Sequence, residues 1–299
     1  MDIAISLVVN PESDASLSSA EETALKAARA VRSTCRDSLA EGIACDVIVK
    51  ADCADEVREI VAPRLNSIDG LDWAVQPTAG RKKKLILADM DSTIITVECI
   101  DELADFIGLK NQVSAITEAA MRGELDFEGA LTERVALLKG LTETQLESCY
   151  NDRIQLMKGA KTLIGTMTEH GAYAALVSGG FTYFTARVAE KAGFHMTRAN
   201  VLEIKDGILT GRVVPPICGA QTKLEALREL AAEHGLAKSD ILAVGDGAND
   251  IPMIEAAGLG VAYHAHPKTM KAASASVSYN DLTTLLYFQG YKAEEFVNL

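Results

Sequence analysis

The chain has 299 residues, of which 48% are hydrophobic, and a formal net charge of −13 at pH 7. This length suits two modest domains, or one larger domain with an insertion, and the composition is ample for an ordinary core. The negative charge argues against a surface for nucleic acids or anionic membranes. No apolar stretch approaches the roughly 18 residues of a membrane-spanning helix. The N-terminus also lacks the features of a secretory signal, so we expect a cytoplasmic protein.

The first 76 residues show the pattern of a small α+β unit. Apolar segments predict three strands, at residues 2–9, 43–49 and 71–76. Helical periodicity predicts helices over 20–34 and 53–65, and a further strand is possible near Asp37–Leu39. The run from Pro77 to Gly80 is typical of a domain boundary.

Two further features are expected to be structural. The basic run Arg81-Lys-Lys-Lys84 leads into the next strand, and we expect it to be solvated. The six cysteines are scattered without a CxxC pair, which argues against structural disulfides or a zinc site. We therefore expect buried free thiols.

From residue 85 the pattern becomes that of a parallel α/β sheet. Apolar runs predict four strands, at residues 85–88, 173–177, 241–244 and 259–262. A helix is predicted over 221–234 and closed by Gly235. Within residues 201–213, Asp206-Gly207 predicts a hairpin turn between two apolar segments.

The first two of these strands are unusually far apart. A βαβ unit takes about 30 residues or a little more, and the surplus here, at about 98–155, is helical in pattern. This pattern predicts a helical subdomain inserted after the first strand. Such an insertion would stand over the carboxyl ends of the strands, where α/β sheets bind ligands. We interpret it as a lid.

Three of the predicted strands end in polar signatures. These are Asp89-Met-Asp91-Ser-Thr93, Ser178-Gly179-Gly180 and Gly245-Asp246-Gly-Ala-Asn249-Asp250. Taken singly, each could be a turn or a helix cap. In a parallel sheet the three ends share one edge, so we expect them to converge.

The convergent set has a physical logic. Asp89, Asp91 and Asp246 would repel each other unless a hard cation such as Mg²⁺ neutralised them. The Ser178 hydroxyl and the N–H groups of the glycine turn could bind phosphate oxygens. Lys223 could hold an anionic nucleophile in place, and no P-loop motif occurs.

Together with this lysine, the three signatures resemble the four motifs of the haloacid dehalogenase superfamily, in the same order. The resemblance implies a Rossmann-like core with an inserted helical cap. It implies that Asp89 is the nucleophile that forms an aspartyl-phosphate, and that Asp91 is the general acid and then the base. It also implies Mg²⁺ bound by the side chains of Asp89 and Asp246 and by the backbone carbonyl of Asp91, with Asp250 orienting these ligands.

The helical insert resembles the cap of the phosphoserine phosphatases, a branch of this superfamily. That resemblance implies that Glu98 binds the substrate ammonium and Arg134 its carboxylate, while Met121 and Phe127 shield the site. Arginine can bind a carboxylate bidentately, and a zwitterionic substrate needs one partner of each sign. On spacing alone, ordinary surface and core roles are favoured for these four residues. Asn249 could hydrogen-bond a phosphate oxygen.

The N-terminal unit resembles the ACT-like domain that precedes the catalytic part in some bacterial members of this branch. The implied organisation is an ACT-like α+β domain at 1–78 and a catalytic domain at 79–299. Residues 1–76 carry no ligand signature. Dimerisation through this domain, or a structural role, is therefore at least as well supported as amino-acid binding.

The resemblance implies a Mg²⁺-dependent phosphomonoester hydrolase. It would convert O-phospho-L-serine to L-serine and phosphate, the last step of serine biosynthesis. Two alternatives stay open: a phosphotransferase acting on an acceptor alcohol such as homoserine, and a catalytically idle amino-acid sensor. The complete set of catalytic residues argues against the sensor.

Overall fold

The computed structural model describes residues 1–28, 32–122 and 124–297. The side chains of residues 32–35 and of Met121 also lie outside the described part. The chain forms a small α+β unit followed by a larger α/β unit, which confirms the predicted fold class. Among the described residues, no helix is both long enough and apolar enough to cross a membrane.

The N-terminal unit is a four-stranded antiparallel sheet with two helices. Its elements are β1 (Asp2–Val9), α1 (Leu17–Ala27), β2 (Arg32–Ala40), β3 (Ala44–Lys50), α2 (Ala54–Leu65) and β4 (Leu71–Pro77). The strands lie in the order β2-β3-β1-β4. Alternate side chains of β1, including Ile3 and Ile5, share a core with Val57 and Val61 of α2, because successive strand residues point to opposite faces.

The helix predicted over 20–34 was wrong in its second half. Helix α1 ends at Ala27, and β2 already begins at Arg32, while residues 29–31 lie outside the described part. Strand β2 pairs antiparallel with β3, for example Arg36 with Val47. Sheet pairing therefore overrides the helical periodicity of the sequence. The possible strand near 37–39 belongs to this longer strand.

The larger unit opens with β5 (Leu85–Ala88), which is buried along its whole length. The next four elements are helices: α3 (Cys99–Asp105), α4 (Lys110–Met121), α5 (Phe127–Leu137) and α6 (Glu143–Arg153). They fall within the range of the predicted helical insertion, and we call them the cap. Helix α3 packs against each of the other three, so it forms the centre of the cap.

The remaining elements complete a mostly parallel sheet. They are α7 (Ala160–Glu169), β6 (Tyr173–Phe181), α8 (Thr182–Ala192), β7 (Met196–Lys205), β8 (Ile208–Val214), α9 (Ala220–Glu233), β9 (Ile241–Gly245), α10 (Ile251–Ala256), β10 (Leu259–Tyr263), α11 (Pro267–Ala272), β11 (Ala275–Val277) and α12 (Thr284–Phe288). Strand β5 lies between β9 and β6 and is parallel to both, so the carboxyl ends of these three strands share one edge. Antiparallel β8 pairs with β7, and the predicted hairpin turn is confirmed: Asp206 and Gly207 have φ of 51° and 74°.

The two units share one continuous sheet of eleven strands. Strand β4 pairs antiparallel with β11 at Trp73 and Ser276. Beside this bridge, the buried Asp72 carboxylate accepts the backbone N–H groups of residues 278–280, at 2.7 to 3.1 Å. The Gln76 side chain donates to the carbonyl of Phe288 at 2.8 Å. The domain boundary expected at 78/79 stays a prediction, because the two units are joined by both pairing and packing.

The basic run before β5 was expected to be solvated, but only part of it is exposed. Arg81 forms an ion pair with the buried Asp46, which also accepts the Ser6 hydroxyl at 2.6 Å. Lys83 is buried and donates to the Ser239 carbonyl at 2.9 Å, and burial lowers its pKa to about 8. The expectation was therefore wrong for these two residues: Arg81 joins the N-terminal unit to the larger unit, and Lys83 is bound within the larger unit. The other two lysines are exposed.

Five cysteines have described side chains, and all five are free thiols. Four of them are buried, as expected. Cys53 is exposed because it stands just before the first turn of α2, and the side chain of Cys35 lies outside the described part.

We expect Asp72→Ala to lower the free energy of unfolding by about 2 kcal/mol, because buried N–H groups at 278–280 lose their acceptor. Urea unfolding followed by circular dichroism measures this change. The matched control is Asp52→Ala, which removes an exposed aspartate without a hydrogen bond or ion pair in the described part of the chain. Equal stability of the two variants would contradict the role of Asp72 as a clamp.

Candidate active site

The first predicted carboxylate lies where β5 ends. Asp89 follows the strand directly, its N–H donates to the carbonyl of Val244 in β9 at 3.0 Å, and the residue is buried. Its Oδ1 accepts the N–H of Met90 at 2.8 Å and lies 2.8 Å from Nζ of Lys223. Both of these contacts use the same oxygen, so the other carboxylate oxygen has no hydrogen bond from the described residues.

Asp91 lies beside Asp89 and is held at two points. Its Oδ1 accepts the N–H of Cys99 at the start of α3, at 2.8 Å, and its Oδ2 accepts the Ser178 hydroxyl at 3.2 Å. Burial raises the pKa of Asp91 to about 6, and the nearby Asp89 carboxylate adds to the rise. A carboxyl group with this pKa can give and recover a proton near neutral pH.

The segment Ser178-Gly179-Gly180 was predicted as a turn after the strand, but it forms the end of β6, and its two glycines allow this close packing. The N–H of Gly180 donates to the Ser178 hydroxyl oxygen at 2.9 Å. A Cβ atom at Gly180 would overlap the Asp91 carboxylate, and one at Gly179 would lie 2.7 Å from the ring of Phe127. Only glycine at both positions lets the carboxylate and the ring approach this end of β6.

Lys223, in the first turn of α9, is fully buried between two carboxylates. Its Nζ lies 2.8 Å from Asp89 and 2.6 Å from Asp250. Burial alone would lower the pKa of Lys223, but Asp250 and Asp89 outweigh burial and raise it. Burial, together with repulsion from Asp89, raises the pKa of Asp250 to about 7. The lysine is therefore a permanent cation that fixes both carboxylates.

Asp246, at the end of β9, adds a further buried carboxylate. It accepts the Thr93 hydroxyl at 3.2 Å, and burial and the charges of Glu98, Asp250 and Asp89 raise its pKa well above the usual range. Carboxylate oxygens of Asp89, Asp246 and Asp250 all lie within 4.8 Å of one another. These donors are all oxygens, which suits a hard divalent cation.

The cap supplies Glu98 at the N-cap position of α3. Its Oε1 accepts the Ser92 hydroxyl at 2.6 Å, and burial and the Asp91 charge raise its pKa to about 8. Ser92 itself has φ of 55°, in the left-handed region that a non-glycine residue enters only at a cost. This backbone conformation directs the hydroxyl at Glu98.

Arg134 on α5 is the cation of the cap. It is buried, and it donates from Nε to the Ala130 carbonyl at 3.1 Å and from Nη1 to the Thr117 hydroxyl at 2.9 Å. No carboxylate of the described residues lies within ion-pair distance of its guanidinium. Burial lowers the pKa of Arg134, against the opposing effect of Glu98 and other carboxylates. The side chain is therefore a buried cation that has no anionic partner in the part of the chain that the structure describes.

A small cavity, of about 40 Å³, lies between the sheet edge and the cap. The predicted residues that line it are Asp89, Asp91, Glu98, Phe127, Arg134, Ser178, Gly179, Gly180 and Asn249. The side-chain oxygen of Asn249 is buried without a partner in the described part. Lys223, Asp246 and Asp250 are buried beside Asp89, and the side chain of Met121 lies outside the described part.

The cavity also contains residues that the sequence did not single out, among them Thr117 and Leu131. Thr117 precedes Met121 by four residues on α4, so the two share one face of the helix. This spacing is the one signal that could have identified Thr117. A single threonine within a helix carries no motif of its own.

Comparison with known proteins gives the class. The model of the haloacid dehalogenase-like hydrolase family matches residues 86–255. More than half of the chain is matched, and the chain belongs to this family.

Individual relatives are more specific. A phosphoserine phosphatase of Albidiferax ferrireducens is 49% identical over 208 residues, which cover 68% of this chain and 88% of that protein. A crystal structure of a probable phosphoserine phosphatase from Vibrio cholerae is 34% identical with a TM-score of 0.72, and the match covers 96% of this chain and 86% of that one. A phospho-aspartyl intermediate analogue of phosphoserine phosphatase is 40% identical with a TM-score of 0.66, over 69% of this chain and 98% of that one.

We expect Asp246→Asn to raise the free energy of unfolding by about 1 kcal/mol or more when divalent cations are chelated. The pKa of Asp246 is raised on folding, so its ionised form opposes folding above the pKa of the unfolded chain, and the asparagine removes this cost. Urea unfolding at pH 7 measures the change, and the gain should disappear as the pH falls below about 4.

Asp240→Asn is the matched control, because Asp240 stands at the other end of β9. The N–H of Ala237 and the Lys84 ammonium lower the pKa of Asp240, so its charge supports folding and its removal should be destabilising. Changes of the same sign in both variants would contradict the charge imbalance at Asp246.

Proposed function

We propose that this protein is a phosphoserine phosphatase, which hydrolyses O-phospho-L-serine to L-serine and phosphate in the last step of serine biosynthesis. One observation carries the proposal. A single cavity places the Asp89–Asp91 pair opposite a cap that presents one half-buried glutamate and one buried arginine, which has no anionic partner among the described residues. The similarity to phosphoserine phosphatases, over the core and the cap, supports the same activity.

Asp89 is the proposed nucleophile. Lys223 and the N–H of Met90 hold its Oδ1, which leaves Oδ2 to attack phosphorus. An O–P bond forms on Asp89 while the bond between phosphorus and the serine oxygen breaks. Asp91 gives its proton to the leaving oxygen, then takes a proton from the water that hydrolyses the aspartyl-phosphate.

The phosphate oxygens have donors at the strand ends. We propose that the Ser178 hydroxyl, the N–H of Gly179, the Asn249 amide and Lys223 bind them. The N–H of Gly180 was also expected to bind a phosphate oxygen. It instead donates to the Ser178 hydroxyl oxygen and orients that hydroxyl.

The acidic cluster fits Mg²⁺. We propose that Asp89, Asp246 and the backbone carbonyl of Asp91 hold it, while Asp250 positions Lys223. The fit rests on oxygen donors alone and on four buried carboxylates that only one buried lysine of the described residues offsets. When bound, the ion would offset negative charge on the phosphoryl oxygens.

The cap recognises the amino-acid half of the substrate in this proposal. Arg134 has two of its nitrogens engaged within the protein, so its remaining N–H groups can meet the substrate carboxylate. Glu98 meets the ammonium, and the arrival of that cation lowers the raised pKa of Glu98. Phe127 covers Gly179 at the end of β6 and shields the site, and Met121 keeps the same predicted role.

We expect phosphate release from O-phospho-L-serine to exceed release from phosphothreonine and p-nitrophenyl phosphate. Chelation by EDTA should abolish it, and MgCl₂ should restore it. Asp89→Asn should reduce turnover by about 10³-fold or more because the nucleophile is lost, whereas Asp105→Asn, an exposed aspartate of the cap, serves as the matched control. Substantial hydrolysis of phosphoserine by a pure, folded Asp89→Asn protein would refute the mechanism.

The alternatives are tested by the same assay. A phosphotransferase would form phosphohomoserine when homoserine is added, at the expense of free phosphate. An amino-acid sensor would release no phosphate at all. Homodimerisation and a cytoplasmic location stay predictions; the outer strand β2, at the edge of the sheet, is where a second copy could pair with the N-terminal unit.

A further inference from the structure

A chain of hydrogen bonds connects three helices of the cap behind Arg134. Asp101 on α3 accepts the hydroxyl of Thr117 on α4 at 2.7 Å, and that hydroxyl accepts Nη1 of Arg134 on α5 at 2.9 Å. All three residues are buried, with 9%, 3% and 5% of their surface exposed. Thr117 and Arg134 also line the cavity.

The direction of these bonds is determined by the single proton of the hydroxyl. Thr117 lies closer to the Asp101 carboxylate than to the Val113 carbonyl, at 2.7 Å against 3.1 Å, and the carboxylate is the stronger acceptor. Because the hydroxyl of Thr117 donates its only proton to Asp101, it must present a lone pair to Arg134. The negative charge of Asp101 therefore supports the guanidinium through one hydroxyl without direct ion-pair contact.

The guanidinium is thus held at two nitrogens, by the Ala130 carbonyl and by Thr117. Its rotation about the side-chain axis is restricted, and the nitrogens left over keep a fixed direction. A direct carboxylate partner would occupy those nitrogens, whereas a relay through a hydroxyl leaves them for a ligand. Packing of the cap does not require the relay, since Leu103, Val113 and Leu131 already form part of one apolar core.

We propose that Thr117 and Asp101 are positioning residues that direct Arg134 at the substrate carboxylate, and so determine the preference for phosphate esters that carry one. The inference rests on the proposed function. Neither residue touches the reacting phosphoryl group; both act through Arg134. Their effect should therefore be confined to substrates with a carboxylate in reach of that side chain.

The test compares two substrates that differ by one group. Phosphoethanolamine has the phosphate and the ammonium of phosphoserine but lacks the carboxylate. Thr117→Val removes the hydroxyl at nearly constant volume, and it should lower the ratio of kcat/KM for phosphoserine over phosphoethanolamine by about tenfold, mainly through KM. Thr117→Ser retains the hydroxyl and should keep the ratio within about threefold of the wild type.

A second background makes the test specific to Arg134. When Thr117→Val is added to Arg134→Leu, it should change the ratio no further, because residues that act through one group are non-additive. Asp101→Asn should lower the ratio in the same direction as Thr117→Val, and it serves as the second variant if the valine protein does not fold. Far-UV circular dichroism establishes that each protein is folded.

Three outcomes separate the claims. Equal losses on both substrates, or an undiminished ratio in Thr117→Val, would overturn the positioning role while leaving the phosphatase activity intact. A further loss of the ratio in the Arg134→Leu background would also overturn it. A wild type with no preference for phosphoserine would instead overturn the proposed function, and this inference with it.

Discussion

The contact between Lys223 and two buried carboxylates is the constraint on which the site depends. One buried ammonium lies between Asp89 and Asp250, and it does not balance the further carboxylates of Asp91 and Asp246. Burying unbalanced charge is costly, and the surrounding structure must be stable enough to hold it. The fully buried strand β5 and its two parallel neighbours provide that rigidity, because their hydrogen bonds hold the strand ends at fixed distances. The remaining negative charge suits this edge to the divalent cation proposed for it.

The continuous sheet gives the N-terminal unit a definite relation to this site. Asp72 and Gln76 of β4 bind the segment after β11, and β11 is separated from β9 only by β10. The cap stands on the other side of the carboxylates and rests on the β7–β8 hairpin, where Leu141 accepts the N–H of Leu209. The N-terminal unit therefore extends the sheet on the side of β9, which leads to Asp246, while the hairpin contacts the cap, which contains Arg134. The two halves of the cavity are thus supported by two separate sets of contacts.

The residues at the sheet edge could be predicted from the sequence more completely than those of the cap and of the contact between the two units. Asp89, Ser178 and Asp246 each follow an apolar run, so strand patterning and parallel topology suffice to bring them together. Other features depend on tertiary contacts that have no local signal. Arg32 and Thr34 continue a helical pattern, yet they pair with β3, and Arg81 resembles a surface residue until the two units meet. Thr117 has no signal in the sequence for the same reason, because its partners Asp101 and Arg134 come from two other helices.

The cap and the substrate complement each other in charge before any chemistry occurs. Glu98 and Arg134 line the cavity without pairing to each other, although an ion pair would offset part of the desolvation cost of the two side chains. Ser92 binds Glu98 and Thr117 binds Arg134, so the free site keeps a glutamate whose pKa burial raises to about 8 and a guanidinium without an anionic partner among the described residues. In the proposed function, a zwitterion that bridges the two would remove this penalty, and its binding energy would help to order the cap over the phosphoryl group. Binding far from phosphorus then contributes to the exclusion of bulk water and to the alignment of Asp89. The separation of Glu98 from Arg134 is for this reason as much a part of the proposed catalysis as the closeness of Asp89 to Asp91.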